Sequence, residues 1–126
     1  MTDRSWSGSG LEVLSSADFD ADKLRRQGRY VVTFGATWCP PTRRFVSNFK
    51  VWSKGLDASP AIADITDMES PLWDVFHIKI TPTVVCFDNG SAVFRSDGRR
   101  WVGIRERDFQ SVVEFLRKAS VPSRGP

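Results

Sequence analysis

The sequence predicts one α/β domain in which a central mixed β-sheet carries helices on both faces. Short β-branched runs alternate with segments of helical spacing, and the predicted order of elements is βαβαβαββα. The βαβαβ half implies parallel strands joined by right-handed crossovers, whereas an Asn89-Gly90 turn predicts an antiparallel hairpin. With 126 residues, of which 40% are hydrophobic, the chain is long enough for one core and too short for two.

The first elements follow a polar start. Residues 1–10 are rich in Gly and Ser, which predicts a disordered lead, and residues 11–14 form a brief predicted strand. A helix is then predicted to run through Leu24 and to end near Gly28. Three residues offer N-caps for this helix: Ser15, Ser16 and Asp18.

The next strand and helix position a cysteine. Residues 30–35 (YVVTFG) form a compact apolar run that is typical of a buried strand. Two prolines after Cys39 suit the first turn of a helix that is predicted to reach residues 55–56. Four apolar side chains recur along it with helical spacing: Phe45, Phe49, Trp52 and Leu56. Cys39 is therefore expected beyond the carboxyl end of a buried strand and at a helix N-terminus, where open α/β sheets place their sites.

The second half of the chain completes the sheet and covers it. Three further strands are predicted, at residues 61–65, 83–87 and 91–95, and residues 88–90 form the turn between the last two. A short helix is marked by Leu72, Trp73 and Phe76. A final helix is predicted by one apolar face, formed by Phe109, Val112, Val113 and Leu116. Residues 121–126 are expected to be a flexible tail, so the predicted domain spans residues 11–120.

Four short motifs resemble those of the thioredoxin family and agree with it in order and distance. They are VVTFGATWCPPT at residues 31–42, ITPT at 80–83, FDNG at 87–90 and the dipeptide Val102-Gly103. In the family these positions are the active-site segment, the cis-proline loop, the hairpin turn and the loop that faces the redox site. Cys39 and Pro82 are 43 positions apart, which is close to the family's spacing. The resemblance covers residues 11–120 and implies a thioredoxin fold.

The resemblance also implies a site. Cys39 corresponds to the nucleophilic cysteine, the Thr81–Pro82 peptide bond is expected to be cis, and the backbone of Thr81 is expected to pair with an extended substrate segment. A thiol at a helix N-terminus faces unpaired N–H groups and the positive end of the helix dipole, so its pKa should fall. Arg43 and Arg44 add positive potential if they point back toward the thiol. The expected substrate-binding residues are Trp38, Pro40, Thr81, Pro82, Val102 and Gly103.

The departures from the family decide the predicted chemistry. Thr42 stands where the family has its resolving cysteine, so the dithiol cycle cannot close, although the Thr42 hydroxyl is suited to donate a hydrogen bond to the Cys39 thiolate. Thr33 replaces a buried aspartate that assists the resolving thiol, and Ala63 falls near the place of the lysine that accompanies it. Pro40 in place of the usual glycine gives Cys-Pro-Pro, which is similar to the nucleoredoxin and tryparedoxin branch, but the compact spacing from Cys39 to Pro82 resembles plain thioredoxin.

Two functions stay open. The first is a monothiol thiol-disulfide oxidoreductase in which Cys39 and Thr42 are catalytic, protein thiols or disulfides are the partners, and an external thiol such as glutathione resolves the intermediate. The second is a redox-inactive binding or adaptor module that uses the groove around Trp38, Pro82 and Val102. Long-lived capture of clients as mixed disulfides lies between the two.

Other classes of function find no support in the sequence. The net charge of +3 and the pI near 9.2 come from scattered arginines without a nucleic-acid motif, which indicates an ordinary solvated surface. No segment approaches the roughly 20 apolar residues of a membrane helix. Cys86 is expected to be buried and unreactive, and His77 is the only histidine. These two residues therefore indicate neither a metal site nor a cofactor. A monomer in the reducing cytoplasm is predicted.

Overall fold

The computed structural model describes residues 6–120, which fold around a five-stranded mixed sheet. Within these described residues, seven strands follow one another: β1 (Glu12–Leu14), β2 (Phe19–Asp20), β3 (Lys23–Leu24), β4 (Arg29–Gly35), β5 (Ser59–Asp64), β6 (Thr83–Asp88) and β7 (Ser91–Asp97). The helices are α1 (Pro40–Trp52), α2 (Leu72–Val75) and α3 (Glu106–Ser120). Strands β2 and β3 form a separate ribbon, and the other five form the sheet in the order β1-β5-β4-β6-β7.

The sheet has the mixed topology that the sequence predicts. Strand β4 lies in its centre, parallel to β5 and antiparallel to β6, so that Val32 pairs with Ala61 on one side and with Val85 on the other. Strand β1 extends the parallel side, and β7 extends the antiparallel side. Asn89 and Gly90 both have positive φ in the two-residue turn between β6 and β7, as a type I′ turn requires. The α/β class, the mixed sheet and the hairpin are confirmed.

Two apolar clusters cover the two faces of the sheet. Side chains alternate along β4, so Val32 and Phe34 face one cluster while Val31 faces the other. The first cluster packs the β2–β3 ribbon and α2 against the sheet. The second packs α1 and α3 against the opposite face, through Phe45, Phe49, Phe109, Val112 and Leu116. The helix that carries the active-site motif is thus fixed to the sheet by a buried aromatic stripe.

The predicted helix through Leu24 is wrong beyond its first turn. Ser15 does cap a turn, since its hydroxyl accepts from Ala17 N–H and its own N–H donates to the Asp18 carboxylate, but the turn is a 3₁₀ helix of three residues. The chain then forms the β2–β3 ribbon, in which Phe19 and Leu24 are cross-strand partners and both are buried. In an α-helix two residues five apart would point about 140° apart. Core burial therefore favours the ribbon over the helix.

The predicted disordered lead is also partly wrong. Trp6 is buried, at 8% exposure, and packs with Val46 of α1 and Ile62 of β5. Residues 6–10 therefore belong to the folded domain, because an aromatic side chain finds an apolar cleft beside α1. The remainder of the lead, residues 1–5, and the predicted tail, residues 121–126, lie outside the described residues.

The helix after the cysteine is shorter than predicted. Helix α1 ends at Trp52, where Ser53 N–H donates to Phe49 O at 2.9 Å, and Gly55 then takes a φ of +82° that turns the chain away from the helix axis. Within residues 6–120, no helix combines the length and apolar character needed to cross a membrane.

Candidate functional site

Cys39 lies at the junction of β4 and α1 and is the N-cap residue of the helix. Its N–H donates to Ala36 O and its carbonyl accepts from Arg43 N–H, both at 3.1 Å. The turn that carries the thiol is therefore hydrogen-bonded on both sides of Cys39. The side chain is half-buried. Pro40 and Pro41 occupy the first two helical positions and have no N–H to offer. Thr42 N–H is consequently the first free amide at this helix end.

The surroundings of Cys39 favour its thiolate. Burial raises the pKa of the Cys39 thiol, but the Thr42 side chain, the Thr81 side chain and the Thr42 N–H, which can donate to a thiolate at this position, lower the pKa by more. The charge of Arg44, one of the two arginines considered from the sequence, lowers the pKa further. The net effect is a pKa below the ordinary value of a cysteine thiol.

Thr42 is fully buried behind the cysteine. Its Oγ1 has no hydrogen-bond partner of ordinary geometry among residues 6–120, while the Cys39 thiol donates to Thr81 O at 3.5 Å. The hydroxyl close to the sulfur is thus unpaired while the sulfur is a thiol, and it can donate to Sγ once the proton leaves. Its buried, unpaired geometry explains why Thr42 favours the charged form of the cysteine.

Thr33 does not continue a proton relay from this site. It is fully buried on β4 and its hydroxyl also has no hydrogen-bond partner within the described residues. Ala63, the other position considered, is buried in the cluster on the opposite face of the sheet from α1. Neither side chain can take up or release a proton at physiological pH.

The loop at Thr81 and Pro82 closes one side of the site. The Thr81–Pro82 peptide bond is cis, the isomer that the family resemblance implies, and both residues are buried. Gly103 lies against this loop, because a Cβ built on it would stand 3.0 Å from Pro41 Cβ and 3.5 Å from Pro82 Cδ. Gly103 also has a φ of +80°, which glycine adopts without strain. The structure thus brings the predicted residues Cys39, Thr81, Pro82 and Gly103 together, with Val102 half-buried at their edge.

The other flank of the site is aromatic. Trp38 is 44% exposed and stacks on Trp73, with ring centroids 6.3 Å apart and planes 9° apart. Trp38 Nε1 donates to Thr66 O at 2.9 Å, and Thr66 Oγ1 accepts from Thr37 N–H and donates to the Asp64 carboxylate at 2.5 Å. Sequence reasoning assigned Trp73 to a helix and missed its role in holding Trp38. The contact joins residues 35 positions apart, and no spacing rule predicts it.

Cys86 is not part of this site. It lies in the middle of β6, opposite Val31, and is fully buried. Burial raises the pKa of the Cys86 thiol to about 12, so it stays protonated and unreactive at physiological pH. Cys39 is consequently the only thiol that can react from the described surface, with Pro40 exposed beside it.

Comparisons with known proteins agree with this geometry. Residues 10–113 match the model of the family described as Thioredoxin. The chain is 28% identical over 117 residues to the bifunctional thioredoxin reductase/thioredoxin of Mycobacterium leprae (strain TN), covering 92% of this chain but only 25% of that protein.

Solved thioredoxins have the same fold. Thioredoxin f2 of Chlamydomonas reinhardtii superposes with a TM-score of 0.66 at 18% identity, over 90% of this chain and 100% of that one. Thioredoxin of Fasciola hepatica superposes with a TM-score of 0.62 at 22% identity, over 84% and 99% of the two chains. Because the family match covers most of the chain and includes the segment around Cys39, this protein belongs to the thioredoxin family of thiol-disulfide redox proteins.

Proposed function

We propose that this protein is a monothiol thiol-disulfide oxidoreductase that acts through Cys39 and depends on an external thiol to complete its cycle. The observation that carries the proposal is the pairing of a half-exposed Cys39 with a fully buried Thr42 at the position of the missing resolving cysteine. Thr42 supplies a hydroxyl and an N–H toward the sulfur, which support a thiolate but cannot attack a disulfide.

The proposed cycle balances with two external thiols. The Cys39 thiolate attacks one sulfur of a client disulfide, a mixed disulfide forms, and the other client sulfur leaves as a thiolate that takes up a proton. A first external thiolate attacks Cys39 Sγ and releases the reduced client. A second one attacks the resulting mixed disulfide, which forms the external disulfide and regenerates the Cys39 thiolate. The client gains two electrons and the two external thiols lose them.

The surroundings of the site fit these partners. Trp38 and Pro40 present exposed apolar surface next to the thiol, and the Thr81 backbone lies beside it for an extended client segment. The proposed location is a reducing compartment such as the cytoplasm, where Cys39 and Cys86 would remain thiols. Glutathione is the external thiol that we propose to test first.

A single-turnover experiment tests this function. Cys39 is converted to a mixed disulfide with a cysteine-containing peptide, and release of the peptide is followed by mass spectrometry with and without glutathione. We expect the wild-type adduct to persist without glutathione and to release its peptide when glutathione is added. The Thr42→Cys variant should release its peptide without glutathione, because it restores an internal resolving thiol. Cys39→Ser should form no adduct.

Two results would contradict the proposal. One is a Cys39 thiol that reacts with disulfides or iodoacetamide only after the protein unfolds. The other is a wild-type adduct that glutathione and other small thiols cannot resolve. Partner binding that is unchanged in Cys39→Ser would then favour the adaptor function, in which the groove around Trp38 and Pro82 binds without redox turnover.

A further inference from the structure

A groove of about 270 Å³ lies beside the site, between α1 and the segment at residues 101–106. It combines aromatic, basic and amide side chains, and we call it the basic-aromatic patch. Its principal members are Pro41, Arg44, Asn48, Trp101, Val102 and Arg105. Pro41 follows Cys39 by two residues and lies next to Gly103, which also lies next to Pro82. The patch is therefore adjacent to the thiol site.

Trp101 is held outward by a closed loop. The side chain is 86% exposed and its φ is +68°, a left-handed conformation that is uncommon for a residue with a side chain. Arg99 N–H donates to Gly103 O at 3.0 Å, and Arg99 O accepts from the N–H groups of Val102 and Gly103 at 3.0 and 2.8 Å. These bonds fix the loop with its aromatic tip in solvent. A tryptophan side chain has only two rotatable bonds, so it loses little conformational freedom when a partner covers it.

The charge of the patch is unbalanced. Arg99 is neutralised by Asp108, with Arg99 Nη2 2.9 Å from the carboxylate. Arg44 and Arg105, in contrast, form no ion pair within residues 6–120, and Glu106 is the only carboxylate among the groove's lining residues. Two unpaired guanidinium groups beside one carboxylate favour a partner that brings its own negative charge.

We propose that the basic-aromatic patch docks an acidic segment of the client protein next to the client's reactive disulfide. The inference rests on the proposed function, since it names the class of client that the Cys39 site receives. Tryptophan and arginine are the side chains that most often dominate protein interfaces, and Arg44 and Arg105 match carboxylates in charge and geometry. The client's acidic side chains lie over these two arginines, and its apolar surface packs on Trp101.

Matched peptides test the docking surface. Two disulfide peptides of equal length, one flanked by glutamates and one by lysines, are offered to the reduced protein, and the rate of mixed-disulfide formation at Cys39 is measured for each. We expect the acidic peptide to react about tenfold faster at low ionic strength. At about 1 M salt the ratio should approach one, because charges are screened within about 3 Å. The ratio cancels differences in thiolate content, because both peptides meet the same thiol.

Charge reversal identifies the residues. The double variant Arg44→Glu/Arg105→Glu should remove the preference for the acidic peptide. Trp101→Ala should slow mixed-disulfide formation with both peptides without changing the ratio of the two rates. Arg43→Glu is the matched control, because Arg43 is exposed on the same helix turn but does not line the groove. It should keep most of the preference. An equal loss of the preference in Arg43→Glu and in the double variant, or equal wild-type rates for both peptides, would overturn the proposal.

A binding arm separates this inference from the proposed function. The same acidic and basic sequences, without a disulfide, are titrated into Cys39→Ser by NMR. Shifts at Trp101 and Arg105 with the acidic peptide alone support the docking surface even if Cys39 proves unreactive. If the charge-reversed protein instead slows resolution by glutathione while its peptide preference is unchanged, the groove binds the small acidic thiol and the docking proposal is wrong.

Discussion

The methyl group of Thr42 fills the space next to Gly35 that a side chain at residue 35 would occupy. Gly35 is the last residue of β4 and Thr42 is the third residue of α1, and both are buried. The residue that replaces the resolving cysteine is therefore also a packing contact between the central strand and the helix that carries Cys39.

Gly35→Ala should destabilise the protein by about 1–3 kcal/mol, because the added methyl group collides with a β-branched side chain that cannot move away. Chemical denaturation followed by circular dichroism measures the change. Gly8→Ala is the control, since no atom lies within 4 Å of a Cβ built at residue 8. In a Thr42→Ser background, which lacks the methyl group, Gly35→Ala should cost less. An equal cost in both backgrounds would show that the contact is not responsible.

Thr42→Val should raise the pKa of Cys39 and stabilise the protein at the same time. Valine removes the hydroxyl that favours the thiolate, so the midpoint of iodoacetamide alkylation moves to higher pH. It also removes a buried unpaired polar atom, which should add about 1 kcal/mol to the free energy of unfolding where Cys39 is a thiol.

The control for this pair of effects is Thr33→Val. It removes another buried unpaired hydroxyl on the neighbouring strand, so a similar gain in stability is expected without a shift of the alkylation midpoint. If Thr42→Val leaves the midpoint in place, Thr42 does not act on the sulfur and its assignment to the catalytic site is wrong.

Cys86 should make the protein less stable in alkali. Its pKa is raised by burial from 9.0 to about 12, so above about pH 9 the unfolded chain loses this proton while the folded protein keeps it. Stability from this group is complete below pH 9 and falls by about 1.4 kcal/mol per pH unit above it. Denaturation of wild type and Cys86→Ala across this range measures the slope. Equal slopes in the two proteins would refute the raised pKa of Cys86. The cavity left by alanine lowers stability equally at each pH, so it does not affect this comparison of slopes.

Trp6→Ala should lower the free energy of unfolding by about 3 kcal/mol, because it empties a buried contact with Val46 and Ile62. Trp101→Ala is the matched control, since the same substitution at an 86% exposed side chain should change stability by less than about 0.5 kcal/mol. Thermal and urea unfolding compare the two. Equal effects would mean that the segment at residues 6–10 contributes nothing to the fold.

Local patterns predicted most of the architecture because each strand and helix carries its own periodicity. The apolar stripe through Phe45 and Phe49 predicted α1, and the Asn89-Gly90 pair predicted the β6–β7 hairpin, since its two positive φ angles depend on those two residues alone. The same reasoning from local pattern gave a wrong prediction for the segment after Ser15. Its cap is real, but Phe19 and Leu24 both reach the core only as partners in a ribbon.

The sequence by itself determined the α/β order, the family motifs and the place of Cys39 at the start of a helix, because these depend on neighbours along the chain. The tertiary structure alone decided which distant groups meet there. Three contacts between separate elements show this: Thr42 packs on Gly35, Trp38 stacks on Trp73, and the loop at Trp101 lies beside Arg44. Their physical basis is the packing of those elements against one sheet, which no local pattern records.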